Sequence, residues 1–338
     1  MPGHPAPGSK EFQGFRDTDS NMIGRLQLAL ILGAALALSA CEQGGPRTSL
    51  PPQARPERVA VQAKPYEPSQ RSIDLARYYV AVQNDLLTQG LLRTDGGGPD
   101  TPFTVDDLIE DFETIVFYQE YSRSGGINYR SDGTSVALSR WTVPVRLGVE
   151  FGDSVPEDKR KIDQAGIDNY AQRLARITGH SIFTTRTNPN FHVFVAGEDD
   201  RTFVQDRLRS LIPSISQSEL ELFGNLPRSF YCLVVSVAGR SQPYNYAHAV
   251  ALIRAEHPDL VRLSCIHEEI AQGLGMPNDS PHARPSIFND DDEFALLTSH
   301  DELLLKMLYD PRLQPGMSLE EARPIIRTIA TELMGEEL

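Results

Sequence analysis

Glu268, Glu269, Gln272 and Asn278 stand close together in the stretch SCIHEEIAQGLGMPND, residues 264–279. Glu268 and Gln272 are four apart. On a helix that spacing puts both on one face about 6 Å from each other, near enough to share an ion or a polar network. Gly275 permits a tight reversal beyond the helix end, and a reversal brings Asn278 back toward that face. Glu269 adjoins the pair, and a partly desolvated carboxylate there is a candidate general base. His267-Glu268 opens like the zinc pattern H-E-x-x-H, but Ala271 stands where the second histidine belongs. Zinc prefers imidazole and thiolate, accepts carboxylate, and binds neutral amide oxygen poorly. A Glu/Gln/Asn set suits a hard cation better, yet calcium wants more oxygens than three side chains offer. The set therefore reads as a metal-free polar binding network of Glu268, Gln272 and Asn278, with no cofactor assigned. A purely structural helix is the alternative.

Other groups carry weaker chemistry. Cys232 and Cys265 either pair or stay as buried thiols; a bond would close a loop worth on the order of 3 kcal/mol in chain entropy. Asn289-Asp290-Asp291-Asp292-Glu293 lacks the spaced oxygens and glycine turn of a calcium loop. It reads as an acidic loop with Arg284 or Arg312 as partner. His267, His282 and His300 flank the region without metal-ligand spacing. No nucleophile elbow, phosphate loop or dinucleotide fingerprint is present. The formal net charge of −14 argues against nucleic acid as a partner, because phosphate binding needs clustered Lys and Arg.

The amino-terminal part speaks of location. Residues 22–41 read MIGRLQLALILGAALALSAC: one basic residue, Arg25, an apolar run from Leu26 to Leu38, then small residues before Cys41. That is the layout of a secretory signal, and the run is too short for a stable transmembrane helix. Leu38-Ser39-Ala40-Cys41 resembles a bacterial lipobox, which implies cleavage before Cys41 and acylation of its thiol. The expectation is a signal peptide over 22–40 and a lipid anchor at Cys41 holding a periplasm-facing protein to the cell envelope. Glu42, rather than Asp, favours the outer membrane. Residues 1–21 read as a mispredicted extension ahead of Met22. Residues 41–69 are rich in Pro, Gly, Gln and Arg and read as a flexible tether, leaving 70–338 as the globular domain.

Elements must position the candidate site. Ile73, Ala76, Tyr79, Val80 and Leu87 recur at helical spacing and predict a helix over 71–93. Thr104 with Asp107 predicts a capped helix start. Alternation from Trp141 to Phe151 predicts a half-buried strand. A helix over 158–178 follows, with Ile162, Ile167, Tyr170, Leu174 and Ile177 inward and Gly179 as its stop. Phe191 to Val195, Tyr231 to Val237 and Ala247 to Ile253 read as strands. Residues 199–211, 260–274, 299–309 and 318–334 read as helices. The fold class expected is α+β, a small mixed sheet with packed helices.

Three runs carry a family resemblance: EEIAQGLGMPNDS at 268–280, ARPSIFNDDDEFALLT at 283–298 and HDELLLKMLYDPRLQPGM at 300–317. They resemble the proteobacterial family called domain of unknown function 2927, over about 139–334. Its members are described as lipoproteins of unknown function, so the resemblance supports location and supplies no activity. A more distant similarity is to the metzincin metallopeptidases. Glu268, Gln272 and Asn278 fall on the three zinc positions of H-E-x-x-H-x-x-G-x-x-H, Glu269 on its catalytic glutamate and Gly275 on its glycine. Trp141-Thr142-Val143-Pro144-Val145-Arg146 resembles the first strand of matrixin-type domains, and Met307 or Met317 stands where a Met-turn would be. The resemblance implies a zincin-type architecture whose zinc ligands have been replaced. Its leading consequence is a former peptidase fold kept for binding an envelope protein, peptide or glycan. The competitor is a divergent hydrolase with Glu269 as general base.

Overall fold

The computed structural model describes residues 66–119, 135–213 and 215–335. The expected extension, signal peptide, lipid-bearing Cys41 and nearly all of the tether lie outside these residues. Among the described residues no helix is long and apolar enough to cross a membrane.

The elements run α1 (Gln70–Thr88), α2 (Val105–Phe117), β1 (Val145–Phe151), α3 (Glu157–Thr178), β2 (Ile182–Thr184), β3 (Phe191–Ala196), α4 (Arg201–Leu211), α5 (Gln217–Gly224), β4 (Cys232–Gly239), β5 (Gln242–Arg254), α6 (Asp259–Gln272), α7 (Ser299–Leu308) and α8 (Leu319–Met334). The strands form one mixed sheet in the order β2-β1-β3-β5-β4. β2, β1, β3 and β5 are parallel neighbours, and β4 lies antiparallel to β5 at the edge.

Side-chain alternation assigns the two faces. Phe191, Val193 and Val195 of β3 join a large core with residues of α2, α3, α6, α7 and α8. Phe194 and Ala196 point the other way, into a smaller core with Val204 and Leu208 of α4 and Leu220 and Phe223 of α5. Because β3 has a strand on each side and helices on each face, all six of its residues are buried. That burial explains its unbroken apolar sequence.

Several expectations shift at the residue level. α1 ends at Thr88, short of 93, and Val80 and Leu87 are exposed, since the helix buries little beyond Tyr79. Ile162 of α3 is also exposed, while Ile167, Tyr170 and Leu174 are buried as expected. Trp141 is buried ahead of β1, which starts only at Val145, after Pro144. β2 and α5 are additions. Three residues of β2 are too few for a readable period, whereas the Ser216–Glu219 capping box of α5 was a usable signal. Thr104 and Asp107 form the capping box that starts α2. The acidic loop pairs through Glu293 with Arg284 and also with Arg93. Arg312 turns instead to Asp310 and Glu332.

One buried ion pair fixes α6 against α3. Arg262 Nε lies 3.0 Å from both carboxylate oxygens of Asp163, and its Nη1 donates to the His257 carbonyl at 2.7 Å. Both side chains are almost fully shielded from water. Neutralising Asp163 leaves Arg262 only the exposed Asp259 carboxylate, 2.9 Å from its Nη2. Asp163→Asn is expected to lower stability by about 3–5 kcal/mol, read as a drop in the urea midpoint.

Candidate functional site

α6 leaves β5 through Pro258 and carries Asp259 in its first turn, where a carboxylate favours the helix dipole. Its last turn presents Glu268, Glu269 and Gln272. The helix then stops against packed aromatic rings. A Cβ on Gly273 would lie 2.4 Å from Phe191 Cζ, and the Gly273 carbonyl accepts from Trp141 Nε1 at 2.9 Å and Ser236 Oγ at 3.3 Å. Gly275 adopts φ 132°, and a Cβ there would meet the Ser139 carbonyl oxygen at 2.6 Å. Only glycine meets both demands, and the chain turns back at this point.

The turn does not deliver the residue expected. Asn278 faces α2, where its Nδ2 donates to the Thr114 carbonyl at 3.0 Å. Asp279, one residue on, meets the helix face instead: Gln272 Nε2 donates to Asp279 Oδ1 at 3.2 Å. The side chains gathered here are Glu268, Glu269, Gln272 and Asp279, and all four line a cleft of about 940 Å³. Asn278 is not among its lining residues. Register in the sequence could not separate 278 from 279, because the reversal at Gly275 decides which one returns.

The opposite side of the cleft is β4. Its lining is continuous from Ser229 to Ser236. A strand presenting a face would contribute alternate residues; an unbroken run means that the cleft follows the strand's edge. β4 has β5 on one side and no strand on the other among the described residues. Cys232 and Cys265 are joined by a disulfide with Cα atoms 5.8 Å apart, which ties the start of this edge to the middle of α6. The Ser236–Gly273 bond ties the two together again further along.

Electrostatics around the cleft follow burial. Asp292, on its rim, is pushed up to about 6 by desolvation, with Asp291 and Asp290 adding to the effect. His267 points away from the cleft, stacked on Tyr170 at 4.0 Å with Nδ1 accepting the Leu297 N–H, and burial drives it down to about 3. His300 is buried beside Asp111, and His282 is exposed. Among the described residues no group of three or more His, Cys, Asp or Glu could hold a metal ion. The zinc site implied by metzincin likeness does not fit these residues. Gln272 uses its amide as a donor to Asp279, and Asn278 is turned to Thr114. Met307 is buried in α7, and the Met317 sulfur accepts the Gln314 N–H.

Trp141 is the chain's single tryptophan, so its emission reports on the end of α6. Gly273→Ala is expected to cost about 1–3 kcal/mol through overpacking against Phe191 and to shift the Trp141 emission maximum, checked by fluorescence-monitored unfolding.

Comparison with curated proteins and with solved structures finds no significant match. A family model described as "Protein of unknown function (DUF2927)" matches residues 105–328. The match takes in α2, ahead of the start expected near 139, and ends within α8. It covers the sheet, the cleft and the turn at Gly275, and the chain is therefore a member of the DUF2927 family.

Proposed function

We propose that the protein is a lipid-anchored envelope protein whose cleft binds an extended peptide segment of an envelope partner. The observation that carries this reading is the pairing of an open strand edge, β4, with the polar end of α6 across one cleft. An open edge offers backbone N–H and C=O groups to any extended chain, and added strands are a recurring mode of peptide capture. Glu268, Gln272 and Asp279 would then read side chains or the backbone of the segment laid along β4.

The order strand, helix, strands, then a helix ending in a glycine turn supports metzincin-like ancestry, as does an edge strand beside that helix. The ligand chemistry supports loss of the zinc. Glu269 lines the cleft yet is only 4% exposed, and this favours a second reading in which it acts as a general base. The lipobox-like Leu38-Ser39-Ala40-Cys41 and the apolar run before it support export and anchoring, with the outer membrane favoured.

Two experiments test the proposal. A fluorescent extended peptide is titrated into the full chain, alongside the same peptide N-methylated at alternate amides. Strand addition is expected to weaken at least about tenfold on N-methylation. Equal affinities would remove β4 pairing, and fragments in the mass spectrum that disappear in Glu269→Gln would favour hydrolysis. For the anchor, Cys41→Ser is expected to move the protein from the membrane pellet to the soluble periplasmic fraction; unchanged partition would remove the lipid.

A further inference from the structure

The loop after α6 forms part of the cleft wall through Pro277, Asp279 and Ile287. Two bonds hold its near end to α2. One is the Asn278 bond to the Thr114 carbonyl; in the other, Ser280 Oγ donates to Asp111 Oδ1 at 3.1 Å. Ser280 N–H also closes the loop on the Phe288 carbonyl at 2.8 Å. The second oxygen of Asp111 lies 3.4 Å from His300 Nε2 on α7. Asp111 is 2% exposed and His300 is wholly buried, its ring edge-on to Phe103 at 4.7 Å. Neither ring nitrogen of His300 completes a hydrogen bond among the described residues.

We propose that Asp111 and His300 form a buried proton trap that, on mild acidification, loosens the Asp279-bearing loop from α2 and opens the cleft wall. The effect on ligand binding rests on the cleft being a binding site, as argued above; the loosening itself does not.

Among the described residues, the groups facing the pair are few. On α2, Asp107 and Glu110 lie near Asp111, and His282 faces it from the loop. On α7 the buried Asp301 is engaged by Thr298, Ser286 and the Ile287 N–H. From α8, Arg323 and Arg327 are turned to Glu113 and Asp106. Burial pushes Asp111 up to about 6, against the Ser280 bond, and Asp107 and Glu110 raise it further. Burial pushes His300 down to about 4, with Asp107 opposing.

These shifts act in opposite directions on global stability. Asp111, raised on folding, contributes stability as pH falls through about 6. His300, lowered on folding, removes stability as pH falls through its ordinary 6.5. The local consequence does not cancel. A proton from solvent settles on the Asp111 carboxyl, and His300 stays neutral beside it. The Ser280 hydroxyl then faces a neutral acid, and its bond loses the charge assistance that roughly doubles such interactions.

Amide hydrogen exchange of the full chain at pH 7 and pH 5, corrected for intrinsic rates, tests this. Residues 278–289 are expected to lose about tenfold protection at pH 5 while α3 and β3 hold theirs. Asp111→Asn, neutral at every pH, is expected to show the low protection at both. Ser280→Ala is expected to do the same, and serves if the first variant does not fold. Equal protection of the native protein at both pH values overturns the proposal. So does a pH step surviving in either variant, or simultaneous loss in α3 and β3. If the peptide binds at neither pH while the exchange step appears, the function proposed above fails and the trap stands.

Discussion

The site depends on one steric fact, that α6 ends where there is room for backbone alone. Phe191 of the central strand occupies the space a side chain at 273 would need. Because the helix terminus sits this close to the sheet, its carbonyl is within reach of Trp141 from the segment before β1 and Ser236 from β4. The next carbonyl, of Leu274, takes the Tyr309 hydroxyl at 3.0 Å. Unsatisfied carbonyls are the normal debris of a helix end. Here they become the points at which four separate stretches of chain are registered. The width of the cleft between β4 and the Glu268 face follows from that registration and from the Cys232–Cys265 bond.

Buried guanidinium groups extend the same logic. Arg140 donates to the Leu308 and Leu313 carbonyls, and Arg254 to those of Leu226, Pro227 and Phe230. Each saturates backbone oxygens that no strand or helix claims, which offsets the cost of burying the charge. Arg254 thereby fixes the loop leading into β4, and Arg140 fixes the segment behind Trp141 to the end of α7. Loops, rather than regular elements, shape both ends of the cleft. Long planar donors are suited to holding them.

Long periodic elements were legible in the sequence, because burial on one side imposes a period that residues display. α3, α6, α8 and the strand at Phe191 read correctly in type and within a few residues in extent. What periodicity could not convey was which apolar residue faces nothing. Ile162 and Val80 fit the helical stripe but lie exposed. β2 is brought into the sheet by its parallel pairing with β1, a long-range fact absent from three residues. The site was legible in part. Glu268, Glu269 and Gln272 share the cleft because helix geometry is local. Asn278 does not, because its direction depends on how a left-handed glycine redirects the chain and on a carbonyl at Thr114 that lies far away in sequence.

That one-residue displacement bears on what the turn can hold. A zinc site needs three donors aimed at one point, and selection for the metal would hold the third in register with the first two. Carboxylate and amide in these places carry no such requirement, and the side chains satisfy one another instead. Gln272 donates to Asp279, and Asn278 and Ser280 fasten the loop to α2. The approach of α6 to Phe191 and Ser139 demands the glycine turn regardless of any ion. The turn that fixes the helix end therefore also shapes the cleft beside β4, whose outer edge pairs with no strand among the described residues.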